Sequence, residues 1–221
     1  MALAHDIRFT DRRAAGQELA ARLRHYAGRT DVVVLALPRG GVPVAFEIAE
    51  ALAAPLDVFV VRKIGMPGHP EFGIGAIASG DVLVLNEEVV SAYGVPRSAV
   101  DEVIRLEREE LRRREKEYRT DEQPLTIEGR TVILVDDGLA TGSSMRAAVE
   151  AVRAQQPSRV VVAVPVGAAS TCREMASIAD EVVCARTPEP FSAVGLWYGD
   201  FSQTTDEEVR ALLLLRRNLR A

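Results

Sequence analysis

The stretch VILVDDGLATGSSM, residues 132–145, decides the fold and carries the most informative motif of the chain. Its apolar start is typical of a strand buried on both faces, and this strand ends at Asp136 and Asp137. Neither acid fits inside a sheet, because burying an unpaired carboxylate is costly. The glycines that follow allow a tight turn into a helix, whose N-terminal amides attract anions. The stretch therefore predicts a strand, a loop and a helix, with polar groups gathered where the strand ends.

The loop between this strand and this helix combines groups that suit a phosphorylated sugar. Asp136 and Asp137 can accept hydrogen bonds from ribose hydroxyls, and the residues after them can surround a phosphate. The residues expected around that phosphate are Ala140, Thr141, Gly142, Ser143 and Ser144. The loop lacks the lysine of a Walker sequence, and no G-x-G-x-x-G follows any predicted strand, which excludes two common nucleotide-binding loops. The combination indicates a site for ribose 5-phosphate.

Elsewhere in the chain, apolar runs alternate with helical patterns. The predicted core strands are residues 32–37, 56–61, 131–137, 159–166 and 181–185. The predicted helices include residues 11–27, 97–119, 143–155, 168–178 and 206–219, with a short helix between Asn86 and Gly94. This alternation predicts an α/β fold with a doubly wound, mostly parallel sheet flanked by helices. In such folds ligands bind beyond the carboxyl ends of the strands.

The segments between the second and third core strands are more varied. Residues 62–75, RKIGMPGHPEFGIG, are rich in glycine and proline and are predicted to form a loop. Residues 76–86 are predicted to form a hairpin that turns at Ser79-Gly80-Asp81. The charged helix 97–119 has a narrow apolar stripe of Val100, Ile104, Leu111 and Tyr118. We interpret it as a solvated helix packed along one seam; the alternative is a dimer contact or a cover over the site.

The stretch 132–145 resembles the signature of the type I phosphoribosyltransferases, which use phosphoribosyl pyrophosphate with magnesium. By position, the resemblance implies that Asp136 and Asp137 hold the ribose 2- and 3-hydroxyls, and that residues 140–144 bind the 5-phosphate. It implies no direct protein ligand for the metal, because magnesium would arrive through the substrate near the two acids. The implied fold is that of the family, with a small hood and an inserted long helix.

The resemblance extends to the loop after the first core strand. The family carries a pyrophosphate-binding loop there, and LPRGG, residues 37–41, stands at that place. Arg39 would be the charge partner of the pyrophosphate, and Gly40 and Gly41 would give access to the backbone. The family often has a non-proline cis peptide in this loop, and we expect it between Pro38 and Arg39.

A mobile catalytic loop follows the second core strand in the family, where this chain has RKIGMPGHPEFG. Arg62 and Lys63 could neutralise pyrophosphate, and the glycines and prolines suit a lid that excludes water. Glu71-Phe72-Gly73 resembles the Glu-Tyr-Gly of adenine phosphoribosyltransferases, in which the Glu handles a proton of the base. An ordinary solvated acid is the equal alternative for Glu71. Ala140 agrees with the adenine and uracil enzymes, which tend to carry alanine at that position.

The resemblance covers residues 32–185 and weakens at both ends, where the family builds a hood over the base. We expect a single domain over residues 1–221, with its core at about 30–187, an inserted helical segment at about 86–120, and hood and tail segments at 1–28 and 188–221. The tail offers Phe191, Trp197 and Tyr198 as candidate base-stacking groups, although aromatic residues in such a position more often pack in the core or at an interface. The tail and the long helix also resemble bacterial phosphoribosyltransferase-like proteins of undefined substrate, so no base is assigned.

The function implied by the resemblance is transfer of the 5-phosphoribosyl group from phosphoribosyl pyrophosphate to a nitrogenous base or related acceptor, with release of pyrophosphate. The catalytic residues would be Lys63, Glu71, Asp136 and Asp137. The alternative is a regulatory domain that binds phosphoribosyl pyrophosphate or a nucleotide without turnover. A receiver-like phospho-acceptor is a weaker interpretation, because receivers place their paired acids after the first strand.

Composition limits the remaining possibilities. A net charge of −5 over 221 residues argues against binding nucleic acid mainly by charge, and no apolar run approaches the roughly 20 residues that span a bilayer. The first residues lack a secretory signal, so we expect a cytoplasmic protein in which Cys172 and Cys184 are buried free thiols. The three histidines are too few and too scattered for a zinc site. We expect a homodimer with small-molecule substrates, and neither nucleic acid nor membrane as a partner.

Overall fold

The computed structural model describes residues 8–118 and 125–219. Within these ranges the strands are β1 Val32–Ala36, β2 Leu56–Val58, β3 Val61–Met66, β4 His69–Ala78, β5 Val82–Leu85, β6 Thr131–Val135, β7 Arg159–Val166 and β8 Glu181–Arg186. The α-helices are α1 Arg12–Arg22, α2 Gly41–Leu52, α3 Glu87–Ala92, α4 Arg97–Tyr118, α5 Ser143–Arg153, α6 Ala169–Met175 and α7 Asp206–Asn218. Short 3-10 helices occupy Arg24–Tyr26 and Val194–Trp197.

The core is a five-stranded parallel sheet in the order β2-β1-β6-β7-β8. Every residue of β1 is buried, because helices cover both faces of the sheet. Val32, Val34 and Ala36 join a hydrophobic cluster with residues of α1 and α2, whereas Val33 and Leu35 join a second cluster with residues of α5. The predicted doubly wound, mostly parallel α/β fold is confirmed.

The predicted helices are present, and side-chain caps explain where two of them begin. α1 begins after Asp11, whose side chain accepts a hydrogen bond from the Ala14 amide at 2.8 Å. This helix ends at Arg22, earlier than predicted, and a 3-10 turn follows it. α3 begins after Asn86, whose side chain accepts a hydrogen bond from the Val89 amide at 3.0 Å.

The segment predicted as a loop, residues 62–75, is instead most of a β-hairpin. β3 and β4 pair antiparallel around a turn at Pro67 and Gly68, and Gly68 has a φ of 82°. A Cβ on Gly65 would lie 2.4 Å from a backbone oxygen of β4, and a Cβ on Gly75 would lie 2.3 Å from a backbone oxygen of β5. The loop prediction was wrong because these glycines permit close pairing of strands.

A second, three-stranded sheet is built from β3, β4 and β5. The predicted strand 56–61 is divided between the two sheets, because β2 ends at Val58 and β3 begins at Val61. The turn between β4 and β5 lies at Ser79-Gly80-Asp81, as predicted.

The long helix α4 packs against β3, β4 and α7. Its predicted apolar stripe is confirmed, since Val100, Ile104, Leu111 and Tyr118 are all buried. Residue 119, the predicted end of this helix, lies outside the described residues. The stripe therefore attaches α4 along one seam of its own chain.

The two cysteines are free, but their burial is only partial. Cys184 lies on the edge strand β8 and Cys172 on the short helix α6, so neither is covered on all sides. None of the helices in residues 8–118 and 125–219 has the length and apolar composition that crossing a bilayer requires.

Candidate functional site

Three loops meet at one edge of the parallel sheet. β2, β1 and β6 are neighbours, so their carboxyl ends reach the same edge. Residues 59–60 and the start of β3 follow β2, residues 37–41 follow β1, and residues 136–144 follow β6. The Leu37 amide donates to the Val135 carbonyl at 2.8 Å, which joins the second and third of these loops at their start. The fold thereby brings together segments that are far apart in sequence.

The two acids after β6 have different partners. The Asp136 side chain accepts a hydrogen bond from the Asp137 amide at 2.9 Å and lines a cavity that Lys63 also lines. The Asp137 carboxylate pairs with Arg12, whose Nε and Nη2 lie 2.9 and 2.8 Å from Oδ2. Burial raises the pKa of Asp136, and the neighbouring Asp137 charge raises this pKa further. Burial also raises the pKa of Asp137, but Arg12 opposes that rise.

Arg12 is a site residue that sequence reasoning missed. Its guanidinium also donates to the Ser202 carbonyl at 2.7 Å and lies 4.0 Å from the centre of the Phe201 ring. The Tyr198 hydroxyl donates to the backbone oxygen of Asp137 at 2.5 Å, and this hydrogen bond fixes the backbone of the same residue. No motif marks Arg12, because 125 residues separate it from Asp137 and only tertiary packing joins them.

The loop after β1 has the expected backbone, but its arginine has an unexpected partner. The peptide bond between Pro38 and Arg39 is cis, as the resemblance predicted. The Arg39 side chain pairs with Asp206 at 3.6 Å and does not line the cavity beside the acids. Tyr118 lies in the same cluster, where burial, followed by the Asp206 charge, raises its pKa to about 12. Arg39 therefore lies where the loop meets α4 and α7.

Contact with the end of β6 accounts for both glycines of this loop. A Cβ on Gly40 would lie 1.9 Å from Oδ2 of Asp137, and a Cβ on Gly41 would lie 2.6 Å from the Val135 carbonyl oxygen. Real side chains do not approach so closely, so the loop can lie against the acids only with glycine at these positions.

Two hydrogen bonds hold the loop after β6 at Leu139 and Ala140. The Leu139 amide donates to the Val166 carbonyl at 2.9 Å, and the Thr171 hydroxyl donates to the Ala140 carbonyl at 2.7 Å. The amides of residues 140–144 donate to no acceptor in the described part of the chain. Such a row of free amides at a helix N-terminus is suited to a phosphate group.

The turn into α5 depends on Gly142. Its φ of 72° lies in the left-handed region that favours glycine, and a Cβ would lie 2.7 Å from the Thr171 side chain. The hydroxyl oxygens of Thr141 and Ser143 flank this glycine and lie 3.3 Å apart. The residues predicted to bind a phosphate therefore stay together at the start of the helix.

Two recesses border the three loops. The first has a volume of about 360 Å³ and is lined by Leu37, Pro38, residues 59–63, Arg114, Asp136 and Ser144. The second is a more open cleft of about 800 Å³, whose lining includes Lys63, Glu71, Ser143 and Arg146. Lys63 borders both recesses, whereas Glu71 does not line the first. The structure therefore gathers Arg62, Lys63 and Asp136 around one cavity and leaves Glu71 outside it.

The tail packs against the start of the described chain. The Phe9 amide donates to the Trp197 carbonyl at 2.9 Å. Tyr198, for which base stacking and core packing were both open, is buried, with its ring centre 5.6 Å from that of Phe9 and 5.1 Å from that of Phe201. Its ring is core packing, and burial raises the pKa of its hydroxyl. Phe191 and Trp197 are half-buried beside the core.

The positions of Asp136 and Asp137 show how the expected magnesium ion could be held. Within residues 8–118 and 125–219, no group of three or more His, Cys, Asp and Glu side chains is arranged to hold a metal ion. Magnesium commonly takes one or two carboxylates together with substrate phosphates. Asp136, at the wall of a cavity that also contains cationic side chains, fits a metal that is carried by a phosphate-bearing substrate.

Comparison with known proteins agrees with this architecture. The family model of the phosphoribosyl transferase domain matches residues 9–195. The Mycobacterium tuberculosis proteins MT0597 and Rv0571c, both named as proposed phosphoribosyl transferases, are 48% identical to this chain over 205 residues. The match covers 93% of this chain and 46% of theirs, so the chain spans about half the length of these curated relatives.

A solved structure is similar over most of the chain. The crystal structure of TT1426 from Thermus thermophilus is 45% identical, with a TM-score of 0.85. The match covers 94% of this chain and 98% of that one. Because the family model matches residues 9–195, which is most of the chain, the chain belongs to the type I phosphoribosyltransferase family.

Proposed function

We propose that the protein transfers the 5-phosphoribosyl group of phosphoribosyl pyrophosphate to a nitrogenous base or a related acceptor and releases pyrophosphate. The observation that carries this proposal is the meeting of Asp136, the free amides of residues 140–144 and the cations Arg62 and Lys63 around one edge of the sheet. A phosphorylated pentose with an anionic leaving group needs these three kinds of partner together.

The sugar is assigned to the acid pair. Asp136 and Asp137 hold the ribose 2- and 3-hydroxyls, and their task is orientation of the anomeric carbon. Arg12 and the Tyr198 hydroxyl fix Asp137, so this acid meets the substrate in one defined position. The 5-phosphate binds at the start of α5, on the amides and hydroxyls of residues 140–144.

The leaving pyrophosphate is assigned to the other two loops. Arg62 and Lys63 face the anion from the start of β3, and Gly40 and Gly41 offer backbone from the loop after β1. Arg39 reaches the substrate only by leaving its ion pair with Asp206. When bound with the substrate, magnesium would lie near Asp136 and would supply further neutralisation of the leaving charge.

This reaction requires little covalent chemistry from the protein. The anomeric carbon passes through an oxocarbenium-like state, as in glycoside chemistry, and positive side chains stabilise the departing anion. Exclusion of water protects that state from hydrolysis. Glu71, at the wall of the larger cleft, is the residue assigned to a proton of the acceptor, and Phe191 and Trp197 remain the stacking candidates.

The proposal is tested by incubating the protein with phosphoribosyl pyrophosphate, magnesium and a panel of purines and pyrimidines. Pyrophosphate release that depends on an added base is the expected result. Tight binding of the donor without release with any base would favour a regulatory domain that shares this fold. A protein that does not bind the donor at all would contradict both functions.

We also propose that the protein is a homodimer, as expected from the resemblance to its family. The chain has a mass of 24.0 kDa, so sedimentation at micromolar concentration should give a species of twice that mass. Sedimentation only as the 24.0 kDa species would contradict this assembly.

A further inference from the structure

The inserted helix α4 contributes one cation to the cavity beside the acids. Arg114 lines this cavity together with Arg62, Lys63 and Asp136. It lies three residues after Leu111, so the two share one side of the helix, and Leu111 is 1% exposed. The buried stripe that attaches α4 to its own chain therefore also directs Arg114 toward the cavity.

The charges around this cavity favour an anion. Among its lining residues, Arg62, Lys63 and Arg114 are basic and Asp136 is the acid. Arg39, the cation that the family pattern places at a pyrophosphate, pairs with Asp206 instead. The basic side chains that do border the cavity thus come from β3 and from the inserted helix.

Arg114 has hydrogen-bonding capacity left for a ligand. Its Nε donates to Oε1 of Glu110 at 2.8 Å, and its terminal nitrogens have no acceptor in the described ranges. Glu110 also accepts from Arg113, at 2.7 and 2.9 Å, so one carboxylate serves two guanidinium groups. The free edge of the Arg114 guanidinium matches the geometry of a phosphate group.

A neighbouring ion pair secures the helix at this place. The Arg62 guanidinium of β3 donates to Glu107 of α4 at 2.7 Å, about two helical turns before Arg114. This contact and the buried stripe hold Arg114 at the cavity wall without using its charge. A flexible surface arginine would have neither support.

We propose that Arg114 binds the pyrophosphate group of the substrate, so that the inserted helix supplies part of the anion site. This assignment rests on the proposed function, because it presumes that phosphoribosyl pyrophosphate occupies the cavity. Arg113 is the matched control: it is the adjacent arginine, it binds the same Glu110, and its side chain is 56% exposed and does not line the cavity.

The test is calorimetric titration of the full chain with inorganic pyrophosphate and magnesium. The change Arg114→Gln should weaken binding by about tenfold to a hundredfold, since a charge-assisted hydrogen-bond pair is lost. Arg113→Gln should stay within about twofold of wild type. Arg114→Lys, which keeps the charge but not the planar fork, should fall between wild type and Arg114→Gln.

Two results would count against the assignment, and they can be told apart. If wild type binds pyrophosphate and Arg114→Gln binds it as well as Arg113→Gln does, the assignment of Arg114 is wrong and the proposed function stands. If wild type binds neither pyrophosphate nor phosphoribosyl pyrophosphate, the proposed function is wrong and the assignment is wrong with it. Thermal unfolding of each variant verifies that the helix remains folded.

Discussion

Asp136 is held at the end of a fully buried strand, where its ionised form is disfavoured. Burial, followed by the charge of Asp137, raises the pKa of its carboxyl group. A folded-state pKa above the unfolded value means that, at pH values between the two, the native protein binds more protons than the unfolded chain does. The stability linked to Asp136 is therefore fully present below the unfolded pKa, about 3.9, and is lost as pH rises through the folded value.

The change Asp136→Asn should accordingly stabilise the protein at pH 7, because asparagine carries no charge to bury. The gain in the free energy of unfolding should shrink as pH falls toward about 4. Urea unfolding between pH 4 and pH 8 measures this. Asp31→Asn is a control of opposite sign, since Arg29 holds the pKa of Asp31 down, at about 2. Equal stability of wild type and Asp136→Asn at every pH would show that folding does not raise the pKa of Asp136.

Gly41 shows a different constraint at the same site. A Cβ there would lie 2.6 Å from the Val135 carbonyl oxygen and 3.0 Å from Cα of Asp136, and backbone cannot yield as a flexible side chain can. Gly41→Ala should lower the free energy of unfolding by about 1–3 kcal/mol. Gly73→Ala is the control, because a Cβ at Gly73 would meet nothing within 4 Å. Urea unfolding that gives the two variants the same stability would contradict the close contact.

Helix α4 shows how an element can serve both packing and the site. Its side toward the protein contains buried apolar residues and Arg114, whereas Arg112 and Arg113 are 61% and 56% exposed. The helix is long and highly charged, and its apolar attachment to the rest of the chain is a narrow buried stripe. Loss of one buried residue in that stripe should therefore affect the cavity as well as stability.

Leu111→Ala is the change that tests this coupling. Leu111 is 1% exposed, so the truncation should cost about 2–5 kcal/mol in the free energy of unfolding. Leu106→Ala, at a side chain that is 50% exposed, should cost less than about 0.5 kcal/mol. Under conditions in which both variants are folded, pyrophosphate affinity should fall only for Leu111→Ala. Unchanged affinity in that variant would mean that α4 does not shape the site.

The hairpin β3–β4 illustrates where an element could not be predicted. Its glycines and prolines carry the composition of a loop, and the close contacts of Gly65 and Gly75 with neighbouring backbone exist only once the strands are paired. The core strands were easier to predict, because an apolar β-branched run such as Val32–Ala36 is recognisable without its partners.

Across the whole molecule, features that depend on local sequence could be predicted. Features that depend on contacts between residues far apart in the chain could not. The loops after β1, β2 and β6 could be placed at one edge from sequence, since parallel strands present their carboxyl ends together. The Arg12–Asp137 ion pair, the Arg39–Asp206 ion pair and the position of Arg114 could not. Each depends on how elements pack against one another, and no local pattern records that packing.

The central claim is that the acid pair and the loop after it form a site for a phosphorylated pentose. Calorimetric titration of phosphoribosyl pyrophosphate with magnesium into wild type and into the double variant Asp136→Asn, Asp137→Asn tests it most directly. We predict binding to wild type and its loss in the double variant, with thermal unfolding showing that the variant stays folded. Equal affinity of the two proteins for phosphoribosyl pyrophosphate would contradict the claim.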